Sequence, residues 1–180
     1  TIDCLVVQDY GFAGGDGAIV EDTFHHVGPA RQPRVNAGRQ SIWAPANSSQ
    51  RADYAAMLCK ALSLHFRMPV KASLAARSTD VAVLKLTIGD HVASYTEDSS
   101  GEFNDFLESI ASKLPIDLPG NVQLIPDLRL IVDRDMYLVK PTALRHWLRS
   151  TALADAEQIA AEFVAAAARR GQEGVVHAGG

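Results

Sequence analysis

Residues 70–76, 81–88 and 91–96 are three short β-rich runs set between two helix-periodic segments, and this order constrains the fold more than any other feature of the chain. Gly89-Asp90 separates the last two runs as a two-residue hairpin turn, so they are expected to pair antiparallel. Before them, over residues 50–67, Ala55, Leu58, Cys59, Leu62 and Phe66 recur at the spacing of one helix face, and Met68-Pro69 ends the helix. After them, over residues 101–114, Ser99-Ser100-Gly101-Glu102 reads as a capping box that leads into a face of Phe103, Phe106, Leu107, Ile110, Ala111 and Leu114. Strands joined by tight turns make an antiparallel meander, and amphipathic helices cover its apolar face. The class expected is α+β.

The rest of the chain extends this pattern. Beyond the breaker at 115–120, residues 122–125, 128–132 and 136–140 read as strands around an Asp-Arg-Asp turn, and 142–149 and 152–170 as a C-terminal helical pair closed by Arg169, Arg170 and Gly171. At the start, residues 2–8 and 18–27 read as a hairpin across a glycine-rich turn, and 28–49 as a long irregular loop anchored by Ile42 and Trp43. The expectation is one domain over residues 1–171 with a mainly antiparallel sheet, and a flexible tail over 172–180. Its core should hold Leu5, Val7, Leu58, Leu62, Leu84, Leu86, Phe106, Ile110, Leu130, Val132, Leu138, Trp147, Ile159 and Phe163.

With 47% hydrophobic and 21% charged residues, a chain of 180 residues can bury a sizeable core. A net charge of -4 argues against wholesale binding to nucleic acid or an acidic membrane, while leaving local basic faces open. Cys4 and Cys59 are too few for a disulfide framework and lack the paired spacing of a zinc site. No apolar run is long enough to cross a bilayer, and TIDCLVVQDYG lacks a signal peptide's basic start, so a cytoplasmic protein without membrane association is expected. The triplet Asn47-Ser48-Ser49 matches a glycosylation sequon, which carries no weight alone.

Most familiar chemistries find no purchase here. DYGFAGGDG, residues 9–17, matches neither the dinucleotide fingerprint nor the P-loop, and the β-rich AIVEDTF after it supplies no helix N-terminus for a phosphate. Glu21, Asp22, His25 and His26 are metal-ligand types, but on a strand Glu21 and His25 stand roughly 13 Å apart and the adjacent histidines face opposite ways. Cys4, inside an apolar strand, reads as a buried thiol, and no nucleophile elbow, zincin helix or kinase constellation is present. No metal and no cofactor is expected.

The order helix 50–67, three strands, helix 101–114 and a further strand, αβββαβ, resembles the core of the PD-(D/E)XK nuclease family over about a third of the chain. That resemblance implies an Asp and a second carboxylate holding Mg²⁺, with a Lys to orient or activate water. Asp80 falls at the strand entrance. The acid-x-Lys triplet, however, falls on Val83-Leu84-Lys85, where valine replaces the carboxylate, and Asp127-Leu128-Arg129 after Pro126 departs from it too. The alternative function is therefore metal-dependent phosphodiester cleavage by a degenerate nuclease-like core, while Lys85 also reads as the polar side of an alternating strand.

Charge is unevenly spread: residues 51–85 are mainly basic, and Asp90 to Asp117 are acidic apart from Lys113. The most concentrated cationic stretch is YLVKPTALRHWLRS, residues 137–150. If Thr142 caps a helix, Arg145 and Arg149 share a face with His146 nearby, Lys140 ends the preceding strand, and Leu144, Trp147 and Leu148 turn inward. Guanidinium groups grip carboxylate or phosphate bidentately and Lys adds a point charge. Asp133, Asp135 and Asp155 are near enough in sequence to neutralise the group instead. The favoured reading is a non-catalytic binding or accessory module, with Lys140, Arg145, His146 and Arg149 as a basic corner for an anionic ligand, nucleic acid or an acidic protein partner.

Overall fold

The computed structural model describes residues 14–31, 40–89, 95–96, 105–106, 108–109, 128–132 and 135–176. Its centre is a five-stranded sheet of β1 (Val70–Arg77), β2 (Val81–Ile88), β3 (Tyr95–Thr96), β4 (Arg129–Val132) and β5 (Asp135–Pro141), in the order β3-β1-β2-β5-β4. Three of the four pairings are antiparallel, so the α+β class with a mainly antiparallel sheet is the fold observed. The third run differs from expectation. Tyr95 and Thr96 do not fold back on β2 but lie parallel to β1 on its other side, opposite Ala72 and Ser73. Gly89 still turns the chain, at φ 155°, and its amide donates to the Pro69 carbonyl, closing the end of β1 rather than starting a hairpin.

The helices among the described residues include α1 (Gly14–Asp22), α2 (Gly28–Arg31), α3 (Ser48–Phe66) and α4 (Arg149–Val176). Helix α3 follows the expected periodicity, burying Tyr54, Ala55, Leu58, Cys59 and Leu62. It starts at a true capping box, in which the Asn47 carboxamide oxygen accepts from the Gln50 amide and the Gln50 side chain accepts from the Asn47 amide. Arg67 ends it in the left-handed region at φ 54°. Helices α3 and α4 cover one face of the sheet, where Leu74, Leu84, Leu86 and Leu138 meet Leu58, Leu62, Ala156 and Ile159. Val83, Tyr137 and Val139 on the other face pack with Phe106, Leu128 and Leu130. Asp105, Phe106, Glu108 and Ser109 are helical, so the expected second amphipathic helix is represented there. With both faces covered, β5 is buried at five successive positions, Met136 to Lys140, instead of alternating.

Two further expectations are corrected. The segment read as a strand, 18–27, is helical: α1 passes into a π-helical turn at Thr23–Val27 and then α2. Helix α1 is anchored on α4, with Ala18 buried and Gly15 so near Leu153 that an added methyl would stand 3.4 Å from its Cδ1. Tertiary contact overrides the local β preference. The first member of the C-terminal helical pair is only one 3-10 turn, Leu144–His146. Thr142 does not cap it, because its amide and hydroxyl donate to the Asp80 and Thr79 carbonyls. The Leu144 and Arg145 amides donate to Ala44 and Ile42, zipping residues 42–46 onto this turn. Helix α4 then begins at Arg149 and runs past the stop expected at Gly171 to Val176. Among the core residues expected, Leu5, Val7, Ile110 and the side chain of Val132 lie outside the described residues; Leu58, Leu62, Leu84, Leu86, Leu138, Trp147 and Ile159 are buried, and Phe106, Leu130 and Phe163 pack partly buried against them. No helix among the described residues is long and apolar enough to cross a membrane.

Candidate functional site

The cationic stretch spans the end of β5, the 3-10 turn and the start of α4, so Arg145 and Arg149 do not share the single helix expected. Lys140 lies apart from the rest of the stretch. As a residue of the same sheet face as Met136 and Leu138, it points beneath the helices, is 1% exposed, and pairs with Asp155 of α4. The Tyr54 hydroxyl also donates to Asp155, at 2.5 Å, and the Lys140 ammonium stands 4.9 Å from the Tyr54 ring centre. Arg129 of β4 extends the cluster, donating to Gln158 and Glu162 on the next turns of α4. This is a buried polar joint between sheet and helices.

Arg145 and His146 are outside. Arg145 is exposed, its guanidinium held 4.0 Å from the ring centre of Trp43 and its Nε donating to His146 Nε2 at 2.9 Å. Trp43, 64% exposed, is held there by the backbone bonds of its loop to the 3-10 turn. Trp147, two residues beyond Arg145, goes the other way: it is buried edge-on against Tyr54 and its indole N–H donates to the Pro141 carbonyl. Among the described residues, no carboxylate pairs with Arg145.

Arg149 is the first residue of α4 and is engaged by α1. Its guanidinium forms an ion pair with Glu21, and its Nε stands 3.8 Å from Asp22 Oδ1. Asp22, itself 4% exposed, accepts from the Ser150 amide at 2.6 Å and so caps α4 from a distant segment. The hydrogen bond and charge of Arg149 hold the Glu21 carboxyl below its ordinary value. Beside these groups opens a cleft of about 270 Å³ lined by Asp22, His26, Gln50, Asp53, Leu144, Trp147, Leu148 and Arg149. Its lining carries both signs of charge, with Leu144, Trp147 and Leu148 beside them.

No family model, curated protein or solved structure matches this chain. The site is therefore read from its own geometry.

The other candidates are placed as follows. Asp80 is exposed at the turn between β1 and β2, while Val83, at the position where the nuclease pattern wants a carboxylate, is fully buried. Lys85 forms an ion pair with Asp135 at 2.7 Å, which raises its pKa, and Thr87 donates to the same carboxylate. Asp127 lies outside the described residues. On the helical backbone Glu21 and His25 stand one turn apart, which the strand reading did not allow, yet no group of three His, Cys, Asp or Glu among the described residues is placed to hold a metal. Burial pushes the Cys59 thiol up to about 12, and Cys4 lies outside the described residues. Trp43, expected to anchor its loop, is 64% exposed instead, and neither it nor Gln50 or Asp53 was expected at the site, because exposure is not legible from a loop sequence.

Proposed function

We propose that this protein is a non-catalytic binding or accessory module whose corner of Arg145, His146 and Arg149 receives an acidic protein partner. The observation that supports this reading is the Arg145–Trp43 contact: an exposed cation without a carboxylate partner among the described residues, held over the ring of an exposed tryptophan. Arginine and tryptophan are the residue types that most often dominate protein interfaces, because each joins a large flat contact area to fixed hydrogen-bond donors. The Trp43 ring holds the guanidinium in place, so little side-chain freedom is lost when a carboxylate arrives. A protein partner is favoured over nucleic acid because the corner holds only two arginines, one of them already paired with Glu21, too few to neutralise a run of phosphates. Lys140 then serves the corner from behind, fixing α4 to β5 through Asp155.

The test is titration of a fluorescent polyglutamate peptide and of single-stranded DNA against wild type, Arg145→Ala and Trp43→Ala. Loss of one charge-assisted contact of about 1.4 kcal/mol predicts a roughly tenfold weaker peptide complex for Arg145→Ala. DNA bound more tightly than the peptide, with a steep salt dependence, points to nucleic acid instead. Cleavage of labelled DNA with Mg²⁺ or Mn²⁺ that disappears in Asp80→Ala overturns the non-catalytic reading.

A further inference from the structure

Arg149 lies on the wall of the cleft, and the groups that engage it belong to a segment weakly joined to the domain. The π-helical turn and α2 bury no residue, and in α1 the buried side chains described are Ala18 and Asp22. Its larger apolar side chains, Ile19 and Val20, are 46% and 44% exposed, and Phe24 in the π turn is 71% exposed. The segment's apolar hold is small, with Gly15 against Leu153, Ala18 buried and Val27 against the core, and its links to the start of α4 are polar: Glu21 on Arg149, and Asp22 on Arg149 and the Ser150 amide. A segment with little apolar burial opens at low cost compared with the core. The carboxylates that it presents are also the chemistry assigned above to the partner.

We infer that Glu21 and Asp22 act as a built-in competitor at Arg149, and that the acidic partner binds fully only when its own carboxylates displace them. This rests on the proposed function and adds regulation to it. The cleft gives the entry point, since Arg149 lines it beside Gln50 and Asp53 and stays about a third exposed while α1 is in place. Asp53, on the same wall, favours a partner that carries a cationic group beside its acids over one with acids alone. The synthetic peptide GGDGAIVEDTFHHVGPAR, residues 14–31, meets this requirement, because it already presents Glu21 and Asp22 with histidines and an arginine close by.

The experiment measures binding of that labelled peptide to the full chain as wild type, Glu21→Gln, Glu21→Gln/Asp22→Asn, and Glu21→Gln/Arg149→Ala, with circular dichroism to check folding. Glu21→Gln leaves the Asp22 cap in place, so it keeps the test valid if the double carboxamide fails to fold. The expected result is a peptide affinity about tenfold or more above wild type for Glu21→Gln, because the fraction of open corner rises. The gain should vanish with Arg149→Ala. Arg145-dependent polyglutamate binding together with equal peptide affinity in wild type and Glu21→Gln overturns the competitor and leaves the proposed function standing. Absence of Arg145-dependent polyglutamate binding removes the proposed function and the inference with it.

Discussion

At the scale of single residues, the buried Lys140–Asp155–Tyr54 joint carries the clearest energetic consequence. Two charges under the helices are tolerated because each satisfies the other and Tyr54 fills a remaining lone pair. Asp155→Ala removes the carboxylate that both the Lys140 ammonium, 1% exposed, and the Tyr54 hydroxyl engage, and urea unfolding should show a loss of about 3–5 kcal/mol. Tyr54→Phe, which removes only a hydroxyl, should cost about 1–2 kcal/mol. Equal losses for the two variants would mean that Asp155 is held by Tyr54 and not by Lys140. Cys59 supplies a second test. With its pKa pushed up to about 12 by burial, only about one thiol in ten thousand is ionised at pH 8. Peptide-resolved mass spectrometry should find Cys59 unmodified by iodoacetamide in the native state and modified after denaturation. The concentration of charge over residues 137–150 was legible, but the direction of Lys140 was not. A strand buried on both faces abolishes the alternation from which a side chain's direction is read.

At the scale of elements, legibility followed the strength of local signals. Helix α3 was visible because its apolar spacing, its Pro69 stop and its tertiary burial agree. Even so, Asn47, noticed as part of a sequon, is its N-cap. Helix α1 was misread because Ala18-Ile19-Val20 favours a strand locally, and only contact with α4 makes it helical. That dependence makes α1 sensitive to acid. Arg149 lowers the Glu21 pKa, so the contribution of this ion pair is complete above the ordinary value of 4.5 and is lost as pH falls through the lower folded value. Glu21 is more than half exposed, so the effect on global stability is small. The local effect should be measurable: hydrogen exchange, corrected for its intrinsic pH dependence, should show α1 losing protection as pH falls below the ordinary value of 4.5 while α3 keeps its own. Parallel loss in both helices would show that α1 opens only with the whole domain.

At the scale of the whole molecule, the class and the sheet were legible from strand and helix order, whereas the place of β3 was not, because a turn signal such as Gly89-Asp90 does not specify which neighbour the next strand joins. The order β3-β1-β2-β5-β4 also determines how the chain reaches this arrangement in time. Pairing of β1 with β2 closes a turn of three residues, Ser78 to Asp80, whereas β2 pairs with β5 across about 50–60 residues of chain. Loop-closure entropy delays the second pairing, so the hairpin and the helix preceding it form the nucleus and β5 docks afterwards. In stopped-flow measurements Leu74→Ala should slow refolding, and Leu138→Ala should leave refolding nearly unchanged while accelerating unfolding. The corner of Arg145 and Arg149 follows β5 in the chain, and is thus assembled last, after the rest of the sheet is already committed.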